Sequence, residues 1–350
     1  MAPTQPGVTP SCPRTSPDSA HLDSKKALVM TDFSALDRSL DIVVISGGIS
    51  HERDVSLRSG RRVGDRLSAM GHRVSHHEPD AALLSTLLDK QPDVVWPAVH
   101  GASGEDGALL GLLEAAGFSY VGSRTDAARL AWFKPTAKTL VGRGGFSTPR
   151  SVTLPRETFR ELGAAGILEQ VDAHLPGPLV VKPAQGGSAQ GVSIVSESSQ
   201  LPRAMVEAYT YSDVVLIEQQ IGGTEVSVGI LDLGDGPFAL PPVEIAPVAG
   251  RYTFEARYNA GETHFYTPAR ISDDATTEVS RVAVAIHDIL GLRHLSRIDF
   301  IVDDSGTPWF FDANVLPGMT ETSLVPQAIE ASGRYLGDVY STLATLAAAE

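Results

Sequence analysis

"RIDFIVDDSGTPWFFDAN", residues 297–314, reads as two apolar strands folded back on each other around Asp304-Ser305-Gly306-Thr307. Those four are residues that favour tight turns. If Asp303 pairs with Pro308, Asp299 falls opposite Asp312. Side chains two apart on a strand share a face, so Arg297, Asp299, Asp312 and Asn314 project together. Two acids set opposite each other repel, and a bound cation is the simplest relief. Carboxylate and amide oxygens suit Mg²⁺, which keeps waters and substrate phosphates among its ligands. The plainer alternative is a surface face carrying an Arg–Asp pair.

Outward from this hairpin, two other stretches look built for an anion. In "VVKPAQGGSAQGVSIV" (180–195) Gly186, Gly187 and Gly191 let backbone amides approach a ligand. Lys182, on the preceding strand, adds a point charge suited to phosphate. The lysine precedes the glycines, so this is not a Walker A loop, and a flexible hairpin turn would use the same glycines. "VVLIEQQIGGTEVSVGIL" (214–231) repeats the two-strand theme and carries Glu218 and Glu225, placed for an adenine amino group and ribose hydroxyls or simply for a solvated edge.

The N-terminal part has a different rhythm. "DIVVISGG" (41–48) and "DVVWPAVHG" (93–101) are strands, each followed by helical periodicity, which predicts a parallel sheet covered by helices over 41–125. Ligands gather where such strands end. Glu52 stands there near a helix start, as a ligand for an ammonium or as a favourable acid on the helix dipole. His100 is a candidate base or anion holder, although a lone loop histidine is more often neither. Glu105, Asp106 and Gly107 read as a cap on the next helix. From about 126 the pattern changes to a helix with Lys134 and Lys138, then two β-hairpins among helices, an α+β arrangement.

Composition narrows the partners. The chain has 350 residues, 37.0 kDa and a net charge of −14. It offers no basic face for nucleic acid or an anionic membrane. With 42% hydrophobic residues it has the make-up of a water-soluble globular protein, and no apolar run has the length of a membrane span. Cys12 is the single cysteine, which excludes a disulfide framework and a cysteine metal site. The expected location is the cytoplasm. Residues 1–38, rich in Pro, Ser and Thr, read as a disordered tail, with Met30 a candidate start.

In order and spacing, "GGISHERDVSLRSG", "HGASGEDGALLGLLE", "YVGS", "VVKPAQGGSAQGVS", "EARY", "RIDF" and "NVLPGMTETSLVP" resemble the D-alanine–D-alanine ligase family of the ATP-grasp superfamily. The resemblance spans about residues 41–335. It implies an α/β and α+β chain, an ATP-grasp fold preceded by a doubly wound parallel-sheet domain. The expected parts are an N-terminal α/β substrate domain (39–125), a central ATP-grasp subdomain (126–218) and a C-terminal subdomain (219–350) with the metal and substrate site.

The resemblance also implies roles. Glu52, near Ser188 and Tyr258, would hold the ammonium of the first amino acid. Lys134, Lys182 and the 186–191 loop, with Gly187 and Gly191, would hold ATP phosphates together with Arg257, and Glu218 and Glu225 would contact adenine and ribose. Asp299, Asp312 and Asn314 would carry Mg²⁺, two ions, with Mn²⁺ as a substitute. Arg297 and the amide of Gly318 would stabilise the oxyanion. Ser323 and the amide of Leu324 would receive the second carboxylate, with His100 lining that pocket, and "ARYNAGETHF" (256–265) would be a lid. The implied reaction is ATP-dependent ligation of two D-alanines through an acyl phosphate for peptidoglycan, by a homodimer. A paralogue joining other amino acids, or a nucleotide-binding protein without turnover, are the alternatives. Four positions depart from the family pattern: Asp312 stands for a glutamate, Arg257 for a lysine, Phe133 for the aspartate of an Asp-Lys pair, and Ala189 for a serine.

Overall fold

The computed structural model describes residues 38–248, 250, 256 and 261–350. The expected tail, apart from its last residue, lies outside them, as do Arg257, Tyr258 and part of the expected lid.

The apolar run at 41–45 forms β1 (Asp41–Ile45), followed by α1 (Arg53–Ala69), β2 (Arg73–His77), α2 (Leu83–Lys90), β3 (Val94–Pro97), α3 (Ala102–Glu105) and α4 (Ala108–Ala115). The three strands pair parallel in the order β2–β1–β3. A central strand covered on both faces needs an unbroken apolar sequence, and Ile42 to Ile45 are all buried. Helices α5 (Thr125–Trp132) and α6 (Lys134–Arg143) lead to the second layer.

That layer contains β4 (Ser151–Pro155), α7 (Arg156–Leu162), α8 (Ala164–His174), β5 (Leu179–Pro183), β6 (Ser193–Val195), α9 (Leu201–Ala208) and β7 (Val214–Gln219). Its sheet is antiparallel, in the order β4–β7–β5–β6. The third layer holds β8 (Thr224–Asp232), β9 (Pro237–Ala239), β10 (Val243–Pro247), β11 (Thr263–Tyr266), α10 (Asp273–Ile289), β12 (Leu295–Val302), β13 (Pro308–Asn314), α11 (Leu324–Ala331) and α12 (Leu336–Ala348). Its strands run β11–β10–β8–β12–β13, with β9 on β8.

Two sequence expectations need correction. The stretch 214–231 is not a hairpin: β7 belongs to the four-stranded sheet and β8 to the six-stranded one. The Gly222-Gly223 pair is the crossing point. Gly223 adopts φ +146, and a Cβ there would collide with the carbonyl of Val302. Local strand signals carry no information about partner choice.

The second correction concerns β12–β13. Asp299 does face Asp312, yet Val302, not Asp303, pairs with Pro308. The Asp303 carboxylate is taken up by the turn, accepting from Ser305 N at 2.9 Å, Thr307 N at 3.0 Å and Trp309 Nε1 at 2.8 Å. A register shift beside Asp299 then makes Phe300 pair with Phe310 and leaves Phe311 as the extra residue. That bulge restores the opposition of the two acids.

Cores follow the layers unevenly. Ile45 and Val95 of the first sheet share an apolar cluster with Val226, Ile298 and Phe300 of the third, and Ile42 and Trp96 share another with Leu231 and Tyr340. The four-stranded sheet has its own, including Leu154, Val181, Met205 and Ile217.

Candidate active site

A cleft of about 860 Å³ lies between the four- and six-stranded sheets. Val180, Ile194, Ile301 and Phe311 give it an apolar lining, a slot of the kind that takes a flat ring. Lys134, Lys182, Arg297, Asp299, Asp312 and Asn314 line the same cleft, and Lys182 Nζ lies 5.5 Å from the centroid of the Phe311 ring.

The charged lining is assembled from distant parts of the chain. Arg297 Nε lies 2.9 Å from Asp299 Oδ1 and its Nη2 lies 2.8 Å from Asp299 Oδ2, while Ser227 Oγ donates to Oδ1 at 2.7 Å. Lys134 Nζ lies 2.7 Å from Asp312 Oδ1. The repulsion anticipated between the two acids is thus relieved by two side-chain cations. Asn314 Oδ1 accepts from Leu316 N at 2.9 Å. Among the described residues no three acids, histidines or cysteines converge as a metal cage. Two facing carboxylates and an amide nonetheless fit Mg²⁺, which takes oxygen ligands and leaves positions to water and phosphate.

Glu218, on β7, is buried between two lysines. Lys182 Nζ reaches Oε1 at 2.5 Å, and Lys138 Nζ of α6 bonds Oε2. Burial alone would raise the Glu218 carboxyl, but the two ammoniums together hold it below its ordinary value. Each side-chain oxygen of Glu218 thus has a lysine partner. Glu225, on β8, lines the same cleft.

The glycine-rich loop brings Ser188 and Ala189 into the left-handed region, at φ +52 and +56. Ser188 Oγ donates to Glu52 Oε1 at 2.6 Å. Two glycines leave room for this carboxylate: a Cβ on Gly187 would come within 2.9 Å of Oε1, and one on Gly101 would collide with Oε2. Gly101 also turns its amide to Glu105 Oε1 at 3.2 Å. Burial first, and then the neighbouring Glu52 charge, push the Glu105 carboxyl up to about 8.

His100 holds loops together. Its Nδ1 lies 3.0 Å from the Leu316 carbonyl and its Nε2 lies 2.9 Å from Ser59 Oγ, which also accepts from Met319 N at 3.0 Å. Burial lowers its pKa to about 4, so it is neutral near pH 7. Both nitrogens are spent inside the protein, which opposes the base or anion-holder reading. Gly318 sits beside Ser323, where a Cβ would approach Oγ to 2.7 Å. Leu324 opens α11, whose first amides have no partner within the helix.

Sequence reasoning missed Lys138 and Glu105 as members of this site. The four-residue spacing of Lys134 and Lys138 was the available signal for the first. Glu105 looked like a helix cap, and nothing local announced its burial.

The sequence model described as "D-ala D-ala ligase C-terminus" matches residues 140–345. A D-alanine–D-alanine ligase of Gloeobacter violaceus is 40% identical over 297 residues, covering 83% of this chain and 94% of that protein. One from Anaeromyxobacter sp. (strain Fw109-5) is 39% identical over 286 residues, covering 82% and 90%. Among solved structures, the VanG D-Ala:D-Ser ligase of Enterococcus faecalis aligns with TM-score 0.75 at 28% identity, covering 89% of this chain and 100% of that one. The Bacillus anthracis D-alanine–D-alanine ligase complexed with ATP aligns with TM-score 0.69 at 28% identity, over 87% and 94%.

Proposed function

We infer the function from the premise that the chain belongs to the D-alanine–D-alanine ligase family. It is an ADP-forming carboxylate–amine ligase that uses ATP and joins two D-alanine molecules for peptidoglycan. No described helix is long and apolar enough to cross a membrane. A cytoplasmic homodimer that needs no nucleic acid is the form we propose for it, with light scattering as the check on its mass. We divide it at 39–125, 126–218 and 219–350.

The observation that carries the site assignment is the gathering of Lys134, Lys182, Arg297, Asp299, Asp312 and Asn314 in one cleft with Ser188, whose hydroxyl bonds Glu52. In our reading the apolar slot takes adenine, and Glu225 takes the ribose. Lys134 and Lys182 meet phosphates, Gly187 and Gly191 let the loop backbone close on them, and Arg257 adds a charge from outside the described residues. Glu52 holds the ammonium of the first D-alanine with its carboxylate toward the phosphates; Ser188 and Tyr258 would fix that acid.

Transfer of the γ-phosphoryl group from ATP to the carboxylate gives an acyl phosphate and ADP. The neutral amine of the second D-alanine attacks the acyl carbon, and the tetrahedral adduct loses a proton from nitrogen and expels inorganic phosphate. Arg297 and the Gly318 amide face the oxyanion that develops. Ser323 and the Leu324 amide receive the second carboxylate at the start of α11. His100 acts on that pocket by fixing the Leu316–Met319 segment. Asp299, Asp312 and Asn314 would hold Mg²⁺, one or two ions, or Mn²⁺, whose chemistry is neutralising charge on the phosphates. Closure excludes water, which would otherwise hydrolyse the acyl phosphate.

The test is phosphate release from ATP and Mg²⁺ with D-alanine, D-serine and a panel of amino acids, with products weighed by mass spectrometry. D-alanyl-D-alanine as the main product supports the reading. Turnover only with another amino acid would move the chain to the specialised paralogues, and ATP binding without any turnover would make it a nucleotide-binding protein.

A further inference from the structure

Helix α6 places Lys134 and Lys138 one turn apart on one face, and each lysine serves a different wall of the cleft. The Lys134 side chain pairs with Asp312 of the six-stranded sheet, while its backbone amide donates to Ala184 O at 3.0 Å, beside β5 of the four-stranded sheet. Lys138 pairs with Glu218 of the four-stranded sheet. Lys182 lines the cleft and Lys138 does not.

Two ammoniums on one carboxylate leave this buried trio with a net positive charge. Such an imbalance is costly away from water. The strain shows at Lys138, whose ammonium is drawn down to about 8 by burial and by Lys182, against the pull of Glu218. An anion entering the cleft would remove the imbalance, and Lys182 is the member able to meet it. Glu218 would then keep a single cation.

We propose that Lys138 is a positioning residue for the nucleotide: it holds and neutralises Glu218, so that Lys182 is released to the phosphates. Without Lys138, Glu218 and Lys182 form a closed neutral pair and the phosphate ligand is lost to its neighbour. This rests on reading Lys182 as a phosphate ligand.

The test is steady-state kinetics on the full chain with ATP and D-alanine varied separately. Lys138→Met should raise KM for ATP about tenfold while KM for D-alanine and kcat change by less than about threefold, and Lys138→Arg should restore most of the loss. In a Glu218→Gln background, where Lys182 has no acid to hold it, Lys138→Met should add less than about twofold, a coupling that simple loss of packing would not produce. Lys182→Met is the control on the premise. If it leaves KM for ATP unchanged, the reading of Lys182 fails. If it raises KM while Lys138→Met does not, or if Lys138→Met acts equally with and without Glu218, the inference fails alone.

Discussion

Ser188 and Glu52 are 136 residues apart in sequence and joined by a 2.6 Å hydrogen bond. The bond ties the glycine-rich loop of the four-stranded layer to the start of α1. A hydrogen bond to a carboxylate contributes about 1.5–3 kcal/mol. Ser188→Ala should therefore lower kcat/KM for D-alanine by roughly 10- to 100-fold, with KM for ATP nearly unchanged. Initial rates at saturating ATP measure this. A loss falling only on ATP would remove Ser188 from the amino-acid site.

Gly101→Ala tests the other side of the same carboxylate. Gly101 has φ +71, and an added methyl would collide with Glu52 Oε2. The variant should retain its circular dichroism spectrum and lose at least about 100-fold in kcat/KM if Glu52 holds the substrate ammonium as proposed, because small displacements of such a group are costly to rate. Near-normal turnover would mean that Glu52 is free to occupy another position.

Acid should destabilise the fold through its buried histidines. Burial lowers His100 and His287 to about 4 and His294 to about 3. Their folded pKa values lie below the ordinary histidine value of 6.5. Between pH 6.5 and 4 the unfolded chain therefore binds protons that the folded chain refuses, and stability falls as pH falls. Each histidine contributes a slope of up to about 1.4 kcal/mol per pH unit. Urea midpoints at pH 7, 6 and 5 should drop steadily, and His287→Asn should flatten the curve.

Glu105 carries the opposite sign. Its folded pKa, about 8, lies above the ordinary glutamate value of 4.5, so stability is lost as pH rises through that interval and levels off beyond it. Glu105→Gln imitates the protonated acid. Its urea midpoint should match the parent at pH 5 and exceed it at pH 8.5 in metal-free buffer. An equal difference at both pH values would refute a raised pKa.

The facing acids were legible in the sequence, though partly by compensation. The turn was placed one residue off, and the bulge at Phe311 cancelled the error, because period-two alternation marks a face without fixing the count of residues in a turn. β7 and β8 were each visible as strands, but not their separation into two sheets, since an apolar run does not encode its neighbour. The parallel sheet at 41–125 and the change of pattern near 126 were legible from strand–helix alternation giving way to paired strands, whereas the division into three parts came from the family resemblance. Lys138 and Glu105 stayed hidden for one reason: what defines them is burial beside charges distant in sequence, Glu218 for the first and Glu52 for the second.

The private core of the four-stranded sheet bears on how the protein breathes. Leu154, Val181, Met205 and Ile217 share no cluster with the remaining two layers, whose apolar residues interlock. Cooperative units of native-state opening follow such boundaries. Backbone amides of β5 and β7 would then trade hydrogen for deuterium through an opening of their own, while β1 and β12 would exchange together in a rarer event. The wall carrying Lys182 and Ser188 could loosen to admit or discharge small molecules while the scaffold holding Arg297 and Asp299 stays folded.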